Sequence, residues 1–142
     1  MQLPADADLL IPHNKPMRVV DRLLESDGTA AQAEGTFDIE SLFVDDGKID
    51  RLAVLELVAQ SYAAGKGHED LAKGKTGVRG FLVGISNAVY HSDAYAGEHL
   101  TVAVRTEQSF GDFYIVVGKA FQKQTLVLEA TLKIWLSPDS GQ

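Results

Sequence analysis

Between Ile49 and Gly65 the chain carries Leu52, Ala53, Val54, Leu55, Leu57, Val58, Ala59, Tyr62, Ala63 and Ala64, an apolar set that leaves almost no side of a helix polar. A surface helix keeps one wet face, and a helix that is greasy all round has to be covered from several directions. Asp50 is placed to cap its start, and Gly65 and Gly67 are placed to stop it, which predicts a helix from Ile49 to about Gly65.

The flanking sequence supplies strands to do the covering. Asp27-Gly28 separates two strand-like runs, Val19–Glu25 and Thr29–Phe37. Asp45-Asp46-Gly47 precedes the helix. Gly111-Asp112 divides Leu100–Phe110 from Phe113–Phe121, and Lys123-Gln124 precedes Leu126–Leu136. In that last run Leu126, Leu128, Ala130, Leu132, Ile134 and Leu136 share one face, with Glu129, Thr131 and Lys133 on the other. The order is two strands, one buried helix, then about four more strands. One helix wrapped by an antiparallel sheet is an α+β arrangement. A chain of 142 residues forms a single domain, 1–142, with 1–10 and 137–142 expected to be loosely ordered.

Thirteen Lys and Arg against twenty Asp and Glu give a net charge of −7. Without a basic cluster the chain is a poor match for phosphate backbones, so nucleic acid is not an expected partner. There is no apolar run approaching the ~18 residues of a membrane span, and the acidic start does not resemble a signal peptide. A cytoplasmic protein with no membrane insertion is expected. The lack of cysteine excludes disulfides, thiolate metal sites and a cysteine nucleophile.

One residue conflicts with the helix that carries it. Glu56 sits among Leu52, Ala53, Leu55, Leu57 and Ala59, and Gln60 follows one turn later on the same face. A lone carboxylate in such surroundings is costly to bury. Either Glu56 reaches solvent or a structural partner, or desolvation keeps it protonated and able to donate to a leaving hydroxyl.

Three segments resemble the hotdog-fold 3-hydroxyacyl-(acyl carrier protein) dehydratases, the FabZ-like family. Ile11-Pro12-His13-Asn14-Lys15-Pro16, running to Asp21-Arg22, is similar to the family's opening L-P-H-x-x-P-x-x-x-x-D-R. Leu55-Glu56-Leu57-Val58-Ala59-Gln60 is similar to its E-x-x-A-Q. The stretch from Phe81 to Tyr90, with Gly97-Glu98-His99-Leu100, is similar to F-L-x-G-I-x-N-A-x-F and G-D-x-L. The resemblance implies a long central helix wrapped by a curved antiparallel sheet, a homodimer or higher oligomer with joined sheets, and acyl tunnels at the interface. It implies removal of water from a 3-hydroxyacyl thioester carried by acyl carrier protein or CoA, in fatty-acid or polyene-type lipid synthesis, with no cofactor. Glu56 would be the acid; Gln60, Phe81, Leu82, Val83 and Gly84 would line the substrate site. Arg18, Arg22, Lys66, Lys73, Lys75 and Arg79 would supply a basic mouth for an acidic carrier.

The chain departs from the family at one catalytic position. The family's His, fourteen residues before the Glu, is replaced by Leu42, and no His lies between His13 and His68. A positioned general base is worth about 10²–10⁴-fold. His13 is the candidate substitute, against the plainer reading of a loop histidine bonded to backbone. Two alternatives stand beside a dehydratase: a non-catalytic acyl-binding subunit paired with a catalytic partner, and a hotdog acyl thioesterase. His68, His91 and His99 have no metal-ligand spacing, and no metal site is expected. Ser61 lacks a nucleophile elbow. Gly74, Gly77, Gly80 and Gly84 suit turns or close backbone approach rather than a phosphate loop.

Overall fold

The structure is a computed structural model that describes residues 2–12, 15, 17–75 and 78–138. In chain order the elements are β1 (Ala5–Asp6), a 3₁₀ turn (Ala7–Leu9), β2 (Arg22–Ser26), β3 (Ala30–Gly35), β4 (Val44–Asp45), β5 (Lys48–Ile49), α1 (Arg51–Ala72), β6 (Val78–Tyr90), β7 (Leu100–Phe110), β8 (Phe113–Gln122) and β9 (Thr125–Pro138). Seven strands form one antiparallel sheet in the order β1-β2-β3-β7-β8-β9-β6, and β4 and β5 make a small hairpin before the helix. All of β2, β3, β6, β7, β8 and β9 touch α1, so the sheet curves around it, as the helix composition demands.

The expected turns form, each by its own chemistry. Asp27 Oδ1 accepts from Thr29 N at 2.9 Å and Ala30 N at 2.7 Å, and Gly28 takes φ +90° between them. Asp50 caps α1 through Oδ1, which accepts from Leu52 N at 2.7 Å. The alternation in β9 is realised: Leu128, Ala130, Leu132, Ile134 and Leu136 are buried against the helix, as are Leu100, Val102 and Val104 of β7.

Several boundaries differ from expectation. The helix runs on to Ala72 instead of stopping near Gly65. Gly65 and Gly67 are places of close approach: a side chain at Gly65 would meet Ala31 Cβ at 2.9 Å, and one at Gly67 would strike the Leu10 carbonyl. Gly118 of β8 likewise has no room for a side chain under Val58. Near the N-terminus, in the stretch expected to be loose, Ala5–Asp6 pairs with β2, and Ala7 and Leu10 are buried.

β6 is the outer edge of the sheet, thirteen residues long, and it runs antiparallel to α1. Tyr90 Oη donates to the Arg51 carbonyl at 2.7 Å, while Gly80 lies under Ala63. Interpolating between these contacts sets Glu56 level with roughly residues 85–87 of β6.

Candidate active site

Leu52, Glu56 and Gln60 follow one another a turn apart along one stripe of α1. Burial deepens along it: Leu52 is 69% exposed, Glu56 is half-buried and Gln60 is 2% exposed. The cover over Gln60 is the irregular stretch Met17–Val20 leading into β2. Gln60 Oε1 accepts from Val19 N at 2.7 Å and Val20 N at 3.2 Å; Nε2 donates to Met17 O at 2.8 Å and to Glu56 Oε1 at 3.1 Å. A primary amide offers two donors and two acceptor lone pairs, and here all four are used.

This arrangement fixes Glu56. Burial raises its carboxyl above the ordinary glutamate value, and the hydrogen bond from Gln60 opposes that rise in part. Because Oε1 is occupied by an amide N–H, a proton on this carboxyl belongs on the other oxygen. The group is an acid whose orientation is set by a side chain that is itself fully bonded.

The other expected site residues are spread along the edge strand. Phe81 turns outward and stacks on Trp135 with ring centroids 5.4 Å apart. Leu82 pairs with Ile134 and packs against the core, Val83 sits exposed at a bulge, and Gly84 lies opposite Lys133. Glu56 and Gln60 are joined by their hydrogen bond, while residues 81–84 lie along β6. His13 lies outside the described residues.

Leu42, at the family's histidine position, is 82% exposed on the turn before β4. With Arg18, Lys15, Asp21 and Phe43 it lines a cleft of about 280 Å³. Arg18 stands between the residues that Gln60 holds, and its Nε is buried without a hydrogen-bond partner among the described residues. The sequence marks Arg18 only as one of several cations; its flanking by Met17, Val19 and Val20 is the signal of partial burial. Three of the cations expected at a basic mouth are paired with acids. Arg22 pairs with Glu34 at 3.5 Å, while Lys66 and Lys73 both pair with Glu69, at 3.5 and 3.0 Å.

His91 Nε2 lies 2.9 Å from Glu129, and His99 Nδ1 lies 2.8 Å from Thr36 Oγ1. Among the described residues no group of three or more His, Asp or Glu side chains could hold a metal ion. No helix there is long and apolar enough to cross a membrane.

A long helix enclosed by one large antiparallel sheet is the hotdog fold, and solved structures bear this out. The chain is similar to a chain of the dehydratase heterocomplex ApeI:P from Xenorhabdus doucetiae, with TM-score 0.86, 18% identity, and coverage of 99% of this chain and 95% of that one. It is similar to a hypothetical thioesterase with coenzyme A from Streptococcus pneumoniae TIGR4 (TM-score 0.61, 10% identity, 82% and 85% covered). It is also similar to smu.793 from Streptococcus mutans UA159 bound to acetyl CoA (TM-score 0.62, 11% identity, 89% and 98% covered). No curated protein matches the sequence. The model of the ApeP dehydratase matches residues 5–142, and the chain belongs to the ApeP-like dehydratase family.

Proposed function

We propose that the chain is a subunit of a 3-hydroxyacyl thioester dehydratase, with Glu56 as the acid that protonates the departing β-hydroxyl. The observation that carries this reading is the half-buried Glu56 carboxyl, raised by burial and aimed by Gln60. An acid of this kind keeps its proton to higher pH than an exposed glutamate and can deliver it to a leaving oxygen. The α-proton of the substrate goes to a base, the Cα–H electrons form the new double bond, and the C–O bond to the β-hydroxyl breaks as Glu56 protonates it.

The base is the open position. Leu42 cannot serve, and we assign the base to a partner subunit, with His13 as the alternative within this chain. Two features support pairing. β6 presents thirteen residues of edge backbone with Val83, Ile85 and Val89 exposed, a strand end of this kind being suited to joining a second sheet. The similar chain from Xenorhabdus doucetiae comes from a dehydratase heterocomplex. Joining at β6 would close a channel beside Glu56 at the level of residues 85–87, where an acyl chain on carrier protein or CoA would lie; the cleft beside Arg18 and Leu42 is not lined by Glu56. The same architecture in coenzyme A-bound relatives supports a thioester substrate. The pathway we infer is fatty-acid or polyene-type synthesis in the cytoplasm.

Turnover of 3-hydroxyacyl-carrier thioesters by the chain, alone and co-purified with a hotdog partner, tests this. Glu56→Gln should lower kcat by about 10²-fold or more while leaving the fold intact. Wild-type turnover retained by Glu56→Gln overturns the reading, and release of free thiol without an enoyl product would favour a thioesterase.

A further inference from the structure

Arg18 is fixed at its root. The groups on either side of it, Met17 O and Val19 N, both bond to the Gln60 amide, at 2.8 and 2.7 Å. From that anchored backbone the side chain lines the cleft between Met17–Val20 and the loop 36–43. The acid nearest to it in sequence is already engaged: Asp21 Oδ1 lies 3.5 Å from Lys15 Nζ, and Asp21 Oδ2 accepts from Thr36 N at 2.8 Å. Arg22, Lys66 and Lys73 have each found a carboxylate. Among the described residues Arg18 has no ion pair, and its Nε is buried without an acceptor. A buried N–H of a cation loses its water and gains nothing unless an acceptor is supplied. The missing acceptor therefore has to arrive from outside.

The cleft limits what can arrive. Its volume is about 280 Å³, at the small end of ligand pockets, which run to about 300–1,000 Å³. Its walls are apolar where it is deepest, with Val19 and Phe37 buried and the Phe37 and Phe43 rings edge to face at 6.1 Å. Leu42, 82% exposed, stands at its opening. Ser41 Oγ accepts from Phe43 N at 3.1 Å, which leaves the hydroxyl proton to donate. The Nε–H and one terminal N–H of a guanidinium form a planar edge that matches the two oxygens of a carboxylate. A phosphate dianion matches that edge too, but the exposed Asp38 and Glu40 also line the cleft and oppose a second negative charge. The apolar walls ask for a carbon tail.

We propose that this cleft is a binding site for a monocarboxylate with a short apolar tail. The carboxylate lies across the Nε edge of Arg18, and the tail packs on Leu42 and Phe43. Glu56 does not line the cleft, so the inference stands independently of the dehydratase reading.

Calorimetric titration and thermal melts of the full chain with hexanoate test it, with hexanamide and inorganic phosphate as controls. Hexanoate should bind saturably and raise the melting temperature, while the two controls at the same concentration leave it unchanged. Arg18→Met should weaken hexanoate binding by at least about 10-fold, the effect of losing a charged, two-pronged hydrogen bond. Without ligand the same variant should melt no lower than wild type, because it removes a buried donor that has no acceptor. Arg18→Lys keeps the charge without the planar edge and should also lose most of the binding. Leu42→Ala, an exposed change that spares the fold, should weaken hexanoate more than acetate. Wild type that ignores hexanoate, or answers hexanamide or phosphate equally, overturns the proposal. So does Arg18→Met that binds hexanoate like wild type, or that melts lower without ligand and so reveals a structural partner for Arg18. Stabilisation that comes from a co-purified hotdog subunit and from no carboxylate also overturns it, and gives Arg18 to that interface.

Discussion

The two sides of α1 are held by different physics. Against the sheet the fit is one of shape: Gly118 lies under Val58 and Gly65 against Ala31, with no room for another carbon. Against Met17–Val20 the fit is one of polarity: one buried amide holds two backbone N–H groups, one carbonyl and the Glu56 carboxyl. The first side should be indifferent to pH and intolerant of volume. The second should tolerate volume but not the loss of the amide, and it is the side that sets the protonation of an acid. Fold and chemistry are therefore carried by opposite faces of one helix.

The largest effect should come from overfilling the first side. Gly118→Val inserts a branched side chain where even a Cβ collides with Val58, and should cost more than about 3 kcal/mol, a large part of a typical domain's stability. Urea unfolding measures it, and Val58→Ala in the same chain should recover part of the loss, since neighbours couple. Unchanged stability in Gly118→Val would break the contrast at its shape side. Next comes Gln60→Leu, close in volume but without the amide. It leaves Val19 N–H and Val20 N–H buried and unpaired and takes the donor from Met17 C=O, for about 2–4 kcal/mol. Hydrogen exchange distinguishes the two sides: Val19 and Val20 should lose protection in this variant while the amides of β8 keep theirs. Equal loss in both regions would mean that the two sides are one cooperative unit.

What could be read ahead of the structure followed the same division. The apolar helix, its Asp50 cap, the Asp27-Gly28 turn and the alternation of β9 are local patterns, and each appears as read. The strand boundaries shifted where a distant polar group intervened. The sequence pattern puts Val19 and Val20 in a strand, but their N–H groups go to Gln60, forty-one and forty residues away, so β2 begins only at Arg22. The same pattern puts Thr36 in the next strand, but its N–H goes to Asp21 Oδ2 at 2.8 Å, so β3 ends at Gly35. Gly65 and Gly67 look like stops in a sequence because nothing local tells a terminating glycine from one on which another segment rests. At the site, the shared face of Glu56 and Gln60 was legible from their spacing. Gln60's role as the clamp on Met17–Val20 was not, because its partners are backbone atoms, which no side-chain pattern records.

The smallest expected effect concerns the sign of a pH dependence. Burial raises the folded-state carboxyl of Glu56 above its unfolded value. The folded protein thus holds that proton more tightly than the unfolded chain does. The resulting stability is complete below the unfolded value and is lost as pH rises through the folded one. Above its folded-state value wild type carries an ionised group in a half-buried place, whereas Glu56→Gln keeps an acceptor for Gln60 Nε2 and carries no charge at any pH. Thermal melts of wild type and Glu56→Gln at about pH 4 and about pH 8 should therefore nearly coincide at the lower value, with the variant the more stable at the higher. A gap that is the same at both, or one that favours wild type as pH rises, would show the carboxylate to be stabilised by a cation or by water. The polar side of α1 would then be structural only, and the division of labour between the two faces would fail at the residue on which the chemistry depends.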